Sequence, residues 1–198
     1  MPSQSDIRRN LRKRRDALSE NDCQDAAFDL YQNVSQHPVY KRSKRIGFYY
    51  AKGNELNVSA LLHLAWLQGK TTYLPVVTPR YLNKLWFLPY APGNELKPNR
   101  YHIPEPQHAP QQRQFKPAQL DLLLMPLVGF DHNGNRIGMG AGYYDRTLAA
   151  MRTRKHWQKP FLMGIAYDLQ EVDTIEQNNW DIPLHAVATN TKIITTRD

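Results

Sequence analysis

The sequence predicts an α/β fold: a single-domain, three-layer open sheet, mostly parallel, with helices on both faces and a basic N-terminal helix. Short apolar runs alternate with amphipathic segments of helical period, as in chains whose helices cross over between parallel strands. One run, residues 122–125 (LLLM), is apolar without interruption, which is typical of a central strand covered on both faces. The 198 residues contain no repeat or low-complexity linker, so we assign residues 1–198 to one domain.

The first predicted elements are two helices. Residues 5–18 form a basic helix with a narrow apolar stripe. Ser19 followed by Asp22 is a capping pattern that indicates the start of a second, amphipathic helix. Cys23 lies on the apolar face of that helix, so we interpret it as a small core residue and not as a nucleophile.

The other elements are assigned in chain order. The predicted strands are residues 45–50, 71–77, 122–125, 161–166 and 186–194. A helix over residues 57–68, ended by Gly69, separates the first two strands, and another helix begins at Tyr143. The proline-rich residues 79–117 are the least readable part and contain a possible hairpin over residues 85–90. Helices between strands imply parallel crossovers, so we expect the ligand at the carboxyl ends of the strands.

A glycine-rich loop follows the strand at residues 122–125. Its four glycines lie within nine residues: Gly134, Gly138, Gly140 and Gly142. Glycine permits positive φ and lets backbone N–H groups approach a phosphate closely. Arg136 adds a cation to the loop, and the helix that begins at Tyr143 would direct its N-terminus at the same ligand. The loop therefore predicts an anionic ligand.

Several common site types have no signature in the sequence. The loop lacks the Gly-Lys-Ser/Thr of a P-loop and the G-x-G-x-x-G of a dinucleotide-binding fold. The seven histidines form no zinc-binding pattern, and no G-x-S-x-G of a serine hydrolase occurs. The sequence also has neither an apolar run long enough for a membrane span nor a secretory signal, so neither is expected.

The net charge and the cysteine content indicate which binding partners and which cellular compartment to expect. The formal net charge of +8 favours anionic partners. Nucleic acid is the common explanation of such a charge, and a nucleoside triphosphate with a polyanionic small substrate explains it equally well. The one cysteine excludes an internal disulfide and fits a reducing compartment, hence a cytoplasmic location.

Residues 121–146 resemble the signature of the 5-formyltetrahydrofolate cyclo-ligase family, also called 5,10-methenyltetrahydrofolate synthetase. The family pattern is an aspartate-led apolar strand, a proline, a Gly-Phe-Asp turn and a Gly-x-Arg-Leu/Ile-Gly-x-Gly-x-Gly-Tyr-Tyr-Asp run. The matching residues are Pro126, Gly129, Phe130, Asp131, Gly134, Arg136, Ile137, Gly138, Gly140, Gly142, Tyr143, Tyr144 and Asp145. The basic first helix and residues 45–62 and 180–189 also resemble the family.

The resemblance implies an ATP- and Mg²⁺-dependent conversion of 5-formyltetrahydrofolate to 5,10-methenyltetrahydrofolate. In that reaction the γ-phosphoryl group moves to the formyl oxygen, the ring closes, and ADP and phosphate are released. The implied partners are ATP and the reduced folate, with or without a polyglutamate tail. The implied cofactor is Mg²⁺, and neither nucleic acid nor a membrane is an expected partner.

The same resemblance assigns candidate residues for catalysis and ATP binding. Arg136 and Tyr143 are the candidate catalytic residues. The candidate ATP-binding residues are Gln4, Arg8, Arg136, Ile137, Gly138, Met139, Gly140, Ala141, Gly142, Tyr143 and Tyr144. The family usually has a basic residue at the position of Gln4, so either this contact is weaker here or Arg9 or Arg12 replaces it.

The resemblance also assigns residues for folate and metal. The candidate substrate-binding residues are Tyr50, Glu55, Met139, Gly140, Gly142 and Tyr143. Glu55 matches a glutamate that contacts the folate ring, where a carboxylate accepts hydrogen bonds from ring N–H groups. Asp145 and Asp181 match the magnesium ligands. The alternative for Asp145 is that it only stabilises the helix dipole from the first turn.

Two other functions use the same features. A sugar-phosphate isomerase or acyl-carrier transferase on a similar sheet would hold a phosphate ester in the glycine loop without hydrolysing ATP. The second is a nucleic-acid-binding module, for which the net charge and the basic helix are the only arguments. Dependence on ATP distinguishes the cyclo-ligase from both.

Overall fold

The structure, a computed structural model, describes residues 3–107, 116–151 and 159–196. Its helices are α1 Gln4–Asp16, α2 Glu20–Gln36, α3 Pro38–Arg42, α4 Ser59–Leu67 and α5 Tyr143–Leu148. Its strands are β1 Arg45–Gly47, β2 Thr71–Val77, β3 Leu85–Pro89, β4 Leu96–Pro98, β5 Pro104–Pro106, β6 Leu122–Pro126, β7 Gly129–Phe130, β8 Arg136–Ile137, β9 Phe161–Ile165, β10 Ala186–Ala188 and β11 Ile193–Thr195. Short 3₁₀ turns cover Pro117–Gln119, Ala149–Met151 and Asp168–Gln170.

Seven strands form one sheet in the order β11-β10-β9-β6-β1-β2-β3. The five inner strands run parallel, while the edge strands β3 and β11 run antiparallel to their neighbours. The prediction of a mostly parallel sheet is therefore confirmed. Two short hairpins, β4–β5 and β7–β8, lie outside this sheet.

Strand β6 shows how the layers are built. Its four apolar residues are fully buried and alternate between the two faces of the sheet. Leu122 and Leu124 pack into the core that also contains residues of α2 and α4. Leu123 and Met125 pack into the opposite core, which α5 covers. The predicted three-layer arrangement, with helices on both faces, is confirmed.

Helix α1 packs against the β7–β8 hairpin through a small separate core. Its Leu11 contacts Val128, Ile137 and Ile175. A Cβ on Gly129 would lie 2.6 Å from the Leu11 side chain, so glycine at this position permits the close approach of α1. The basic helix is thereby fixed beside the chain that leads to the glycine-rich loop.

The order of the strands determines where the site forms. Strand β1 has β2 on one side and β6 on the other, so the connections from these strands diverge and leave a crevice at the carboxyl ends of β1 and β6. The loop after β1 carries Tyr50 and Glu55, and the chain after β6 leads through β7 and β8 to the glycine-rich loop. The fold thus brings together the two halves of the predicted site.

Some predicted elements differ from the structure at their ends. The strand predicted over residues 45–50 ends at Gly47, and the helix predicted over residues 57–68 spans Ser59–Leu67. Helix α1 ends at Asp16, and α5 gives way to a 3₁₀ turn after Leu148. Helix ends are set by capping and packing, which hydrophobic period alone does not specify.

Other predictions were wrong about the type or number of elements. Residues 85–90 are not a hairpin, because β3 is one strand that pairs antiparallel with β2. Residues 186–194 are not one strand, because a turn in which Thr189 N–H donates to the Lys192 carbonyl separates β10 from β11. Helix α3 was not predicted, since its five residues are too short for a periodic signal. None of the helices in the described ranges combines the length and apolar character that a membrane crossing requires.

Candidate functional site

A cleft of about 390 Å³ lies at the carboxyl ends of β1 and β6. This volume is within the ordinary range of small-molecule sites. Five parts of the chain line it: the segment after β1, strands β2 and β3, the β4–β5 hairpin, the end of β6, and the glycine-rich loop with the start of α5. The lining residues are Tyr49, Tyr50, Lys52, Glu55, Pro75, Val77, Leu85, Asn99, Tyr101, Ile103, Pro126, Arg136, Gly138, Met139, Ala141, Gly142, Tyr143, Tyr144 and Asp145.

The glycine-rich loop turns sharply from β8 into α5. Gly134, Gly140 and Gly142 have positive φ, as predicted, whereas Gly138 does not. Gly142 is the left-handed residue that begins α5, which has only six residues. The side chain of Arg8 donates from Nε to the Gly138 carbonyl at 2.8 Å, so α1 contacts the loop directly.

Arg136 is buried beneath the loop. Its guanidinium donates to Asp145 Oδ1 and to the Ile182 carbonyl, and its side chain is 7% exposed. Burial lowers the pKa of Arg136, while Asp145 and Asp181 act in the opposite direction. The predicted contact between Arg136 and a phosphate stays a prediction, and in this structure the guanidinium is paired with a carboxylate.

Asp145 and Asp181, which are far apart in sequence, line one small cavity together with Arg136. The cavity volume of about 10 Å³ is roughly that of one water-sized sphere. The Asp181 carboxylate accepts from the Asn178 backbone N–H at 2.8 Å, which fixes its direction. No group of three or more His, Cys, Asp or Glu side chains suited to a metal occurs in the described part of the chain. Two carboxylates fit Mg²⁺, because this ion is commonly held by one or two carboxylates with phosphate oxygens and water.

Asp131 ties the two sides of that cavity together. Its fully buried carboxylate accepts from the backbone N–H groups of Asn133, Asn135 and Ile175 and from the Asn135 side-chain amide, at 2.9 to 3.0 Å. These bonds join the β7–β8 turn to the segment that leads to Asp181. From sequence, Asp131 was identified only as part of a turn motif.

Glu55 lies at the other end of the cleft. Its Oε2 accepts from the Lys52 backbone N–H at 3.0 Å. Burial raises the pKa of the Glu55 carboxyl, and the Lys52 N–H together with the Arg15 and Lys52 cations opposes that rise. Burial raises the pKa of the neighbouring Tyr144 phenol well above its ordinary value, with a further contribution from Glu55, so the phenol remains protonated.

The β4–β5 hairpin contributes residues that the sequence did not reveal. Arg100 Nη2 donates to the Tyr143 hydroxyl at 2.7 Å, and the Tyr101 hydroxyl lies 2.9 Å from the same oxygen. Lys52 Nζ donates to the Tyr101 carbonyl, which joins the hairpin to the Glu55 loop. The sequence here lacks a periodic pattern, and the turn residue Asn99 was the available signal.

Some of the predicted site residues line the cleft, and others lie elsewhere. Tyr50, Glu55, Met139 and most of the glycine-rich loop line the cleft. Ile137 instead packs in the core beneath α1. Gln4 donates to the Glu176 carbonyl at 2.9 Å and is not among the residues that line the cleft.

The sequence profile of the 5-formyltetrahydrofolate cyclo-ligase family matches residues 1–190. The chain belongs to this family. The predicted resemblance is therefore confirmed, and the chain is an enzyme of the ligase class.

Individual relatives agree with the family match. The chain is 37% identical to the 5-formyltetrahydrofolate cyclo-ligase of Escherichia coli over 186 residues, 92% of this chain and 98% of that protein. It is 39% identical to the cyclo-ligase of Haemophilus influenzae over 159 residues, 77% of this chain and 81% of that protein. The solution structure of Aquifex aeolicus 5,10-methenyltetrahydrofolate synthetase superposes with a TM-score of 0.81 at 26% identity, covering 98% of this chain and 93% of that one. The cyclo-ligase fold therefore extends across nearly the whole chain.

Proposed function

We propose that this chain converts 5-formyltetrahydrofolate to 5,10-methenyltetrahydrofolate, with ATP as co-substrate and Mg²⁺ as cofactor. One observation carries the proposal: a single cleft is lined both by Glu55 and by the glycine-rich loop with Arg136 and Asp145. A carboxylate suited to the folate ring and groups suited to a triphosphate thus face the same space. The cytoplasmic location, for which the single cysteine is the argument, is part of the proposal.

The chemistry explains why ATP is needed. The formyl oxygen attacks the γ-phosphorus, and the bond from that phosphorus to the β–γ bridging oxygen breaks, which releases ADP. The N10 amine then attacks the formyl carbon and forms the new C–N bond. N10 loses its proton, the bond from carbon to the phosphorylated oxygen breaks, and phosphate leaves. The enzyme must mainly position two ligands and neutralise charge on the transferring phosphoryl group.

The folate would lie at the Glu55 end of the cleft. The Glu55 carboxylate accepts hydrogen bonds from ring N–H groups, and the rings of Tyr50 and Tyr143 lie against the flat faces of the pterin. Arg100 and Tyr101 both contact the Tyr143 hydroxyl, so the hairpin sets the position of its ring. In this arrangement the formyl group would face the glycine-rich loop.

The phosphates of ATP would lie along the glycine-rich loop. Arg8 lies against this loop, and Arg136 lies beneath it, so both cations are near the expected path of the phosphates. Mg²⁺, held by Asp145 and Asp181 with phosphate oxygens and water, would neutralise the β- and γ-phosphates. Arg136 would stabilise negative charge on the transferring group.

The direct test is to mix the protein with 5-formyltetrahydrofolate and MgATP and to follow the absorbance of the methenyl product. ADP release is measured in parallel and should equal product formation. Omission of ATP and addition of a magnesium chelator should each abolish the signal. A protein that forms no product under these conditions is not the proposed enzyme. Turnover of a phosphate ester without ATP, or salt-dependent binding to DNA, would indicate one of the alternative functions.

A further inference from the structure

Arg15 differs from the other cations of α1. Arg9, Arg12, Lys13 and Arg14 are exposed, whereas Arg15 is 5% exposed. Its Nε and Nη1 atoms have no hydrogen-bond partner among the described residues. Its ion pair is a loose one, 3.5 Å from Nε to Asp16 Oδ1, and the Asp16 side chain is half exposed. Burying a guanidinium with so few hydrogen bonds and only a loose ion pair costs folding free energy. We therefore infer that the buried charge of Arg15 has a function.

The end of α1 is attached to the Glu55 loop. Asn54 Nδ2 donates to the carbonyls of Arg15, Asp16 and Leu18 at 3.2 to 3.5 Å. Arg15 and Asp16 are the last residues of α1, and the Arg15 carbonyl also accepts from the Leu18 backbone N–H at 3.1 Å. Asn54, the residue next to Glu55, thus holds the end of α1 that carries Arg15, and Arg15 itself is not among the residues that line the cleft.

The charged and titratable groups around Glu55 come from three parts of the chain. The cations that act on its carboxylate are Arg15 in α1 and Lys52 in its own loop. The tyrosines that the Glu55 charge affects are Tyr49 in the same loop and Tyr144 in α5. Burial is the largest influence and raises the pKa of Glu55, whereas Arg15 and Lys52 lower it. The Lys52 amine is directed to the Tyr101 carbonyl of the hairpin. Of these two cations, Arg15 is the buried one, and it is not among the residues that line the cleft.

We propose that Arg15 is a positioning residue for the folate substrate, because its buried guanidinium, at the helix end that Asn54 joins to the Glu55 loop, supplies positive charge that keeps Glu55 an anionic acceptor. The inference rests on the proposed function. Without Arg15, the Glu55 carboxyl takes up a proton more readily and becomes a weaker acceptor of hydrogen bonds from the pterin. The ATP end of the cleft does not depend on this charge.

The main variant is Arg15→Met, which removes the charge but keeps an unbranched apolar side chain. Arg15→Lys restores the charge, and Arg14→Met is the matched control on the exposed side of the same helix. At a pH below the pKa of the Glu55 carboxyl, we expect Arg15→Met to raise the KM for 5-formyltetrahydrofolate by about tenfold, because a rise of roughly one pKa unit lowers the ionised fraction about tenfold there. The KM for ATP and kcat should change less than about twofold. Arg15→Lys should recover most of the loss, and Arg14→Met should behave as the wild type.

A pH series separates this role from a purely structural one. Folate affinity depends on ionised Glu55 and is lost as the pH falls through the pKa of that carboxyl. In Arg15→Met the loss should begin at a higher pH than in the wild type. A folded Arg15→Met protein with wild-type folate KM and an unchanged pH profile would overturn the proposal. Equal losses for folate and ATP, without recovery in Arg15→Lys, would overturn it as well.

Equilibrium binding of 5-formyltetrahydrofolate gives a readout that does not require turnover. Once Glu55→Gln has removed the carboxylate, a further substitution at Arg15 should have little additional effect on folate binding. Additive losses in the double variant contradict the proposal. If Arg15→Met does not fold, the same cycle is run with Arg15→Gln. Wild-type protein that neither binds nor converts the folate would refute the proposed function itself, and this inference with it.

Discussion

Replacing Asp145 by Asn should weaken the hold on magnesium and also destabilise the protein, for two separate reasons. The carboxylate is a candidate metal ligand, and it is also the acidic partner of Arg136. Asn keeps the shape of the side chain but removes the charge from both interactions. Folate binding at the Glu55 end should be little changed.

The stability cost follows from the burial of the pair. Breaking a fully buried ion pair by removing one partner costs about 3–5 kcal/mol. Arg136 is 7% exposed but Asp145 is 27% exposed, so solvent screening reduces the cost, and we expect about 2 kcal/mol. In a chain of this size that corresponds to a fall in Tm of roughly 4–8 °C. A residue that only stabilised the helix dipole would cost about 0.3–1 kcal/mol.

The assay combines a thermal melt without nucleotide with a magnesium titration of the initial rate. We expect the magnesium midpoint to rise by about tenfold or more, since one of two hard anionic ligands is lost. Asp29→Asn, on the exposed side of α2, is the control for loss of a surface charge. A lowered Tm with an unchanged magnesium midpoint would refute the ligand assignment: Asp145 would then be the partner of Arg136 alone, and Asp181 the remaining metal candidate.

Four further substitutions test other parts of the site and the fold. Arg136→Ala should raise the KM for ATP and lower kcat by about 100-fold, as loss of a charge-stabilising donor does, and unchanged ATP kinetics in a folded variant contradict this role. Glu55→Gln should impair folate use far more than ATP use, whereas equal losses would indicate that Glu55 only supports its loop. Tyr101→Phe removes the hydroxyl beside Tyr143, so the folate KM should rise several-fold at constant ATP KM, and no change would exclude the hairpin from folate binding. Partial burial raises the pKa of the Asp121 carboxyl, but hydrogen bonds from Lys159 and from the backbone N–H groups of Arg45 and Lys44 outweigh burial and lower this pKa to about 2. Asp121→Asn should therefore lower Tm at pH 7, and its difference from the wild type should shrink as the pH falls from about 5 toward 2; a difference independent of pH contradicts the ionic contribution.

The sequence predicted those elements whose determinants are local. The unbroken apolar run of β6 and the Ser19–Asp22 capping box at the start of α2 are complete within a few residues, and both occur as predicted. Strand β2 also has the predicted limits. The edge strands were less predictable, because β3 and β11 are defined by the neighbours with which they pair.

The candidate site could be predicted in composition but not in its internal pairing. The glycine-rich loop and Glu55 were identified from motifs, and they line one cleft. The pairing of Arg136 with Asp145 depends on how the loop closes, which no spacing specifies. Arg100 reaches Tyr143 only through the β4–β5 hairpin. Arg15 was recognisable in principle, because it lies four residues after Leu11 and so on the buried stripe of α1.

The docking of α1 has a consequence for synthesis of the chain. Arg8 and its contact Gly138 are separated by 130 residues, so α1 is made long before the hairpin that it packs against. At the usual translation rate that interval is about 10 s. A helix of 13 residues is marginal in water by itself, so during this time α1 remains a mostly unfolded basic segment. The cleft is thus completed late, when α1 packs against the newly made β7–β8 hairpin and the glycine-rich loop.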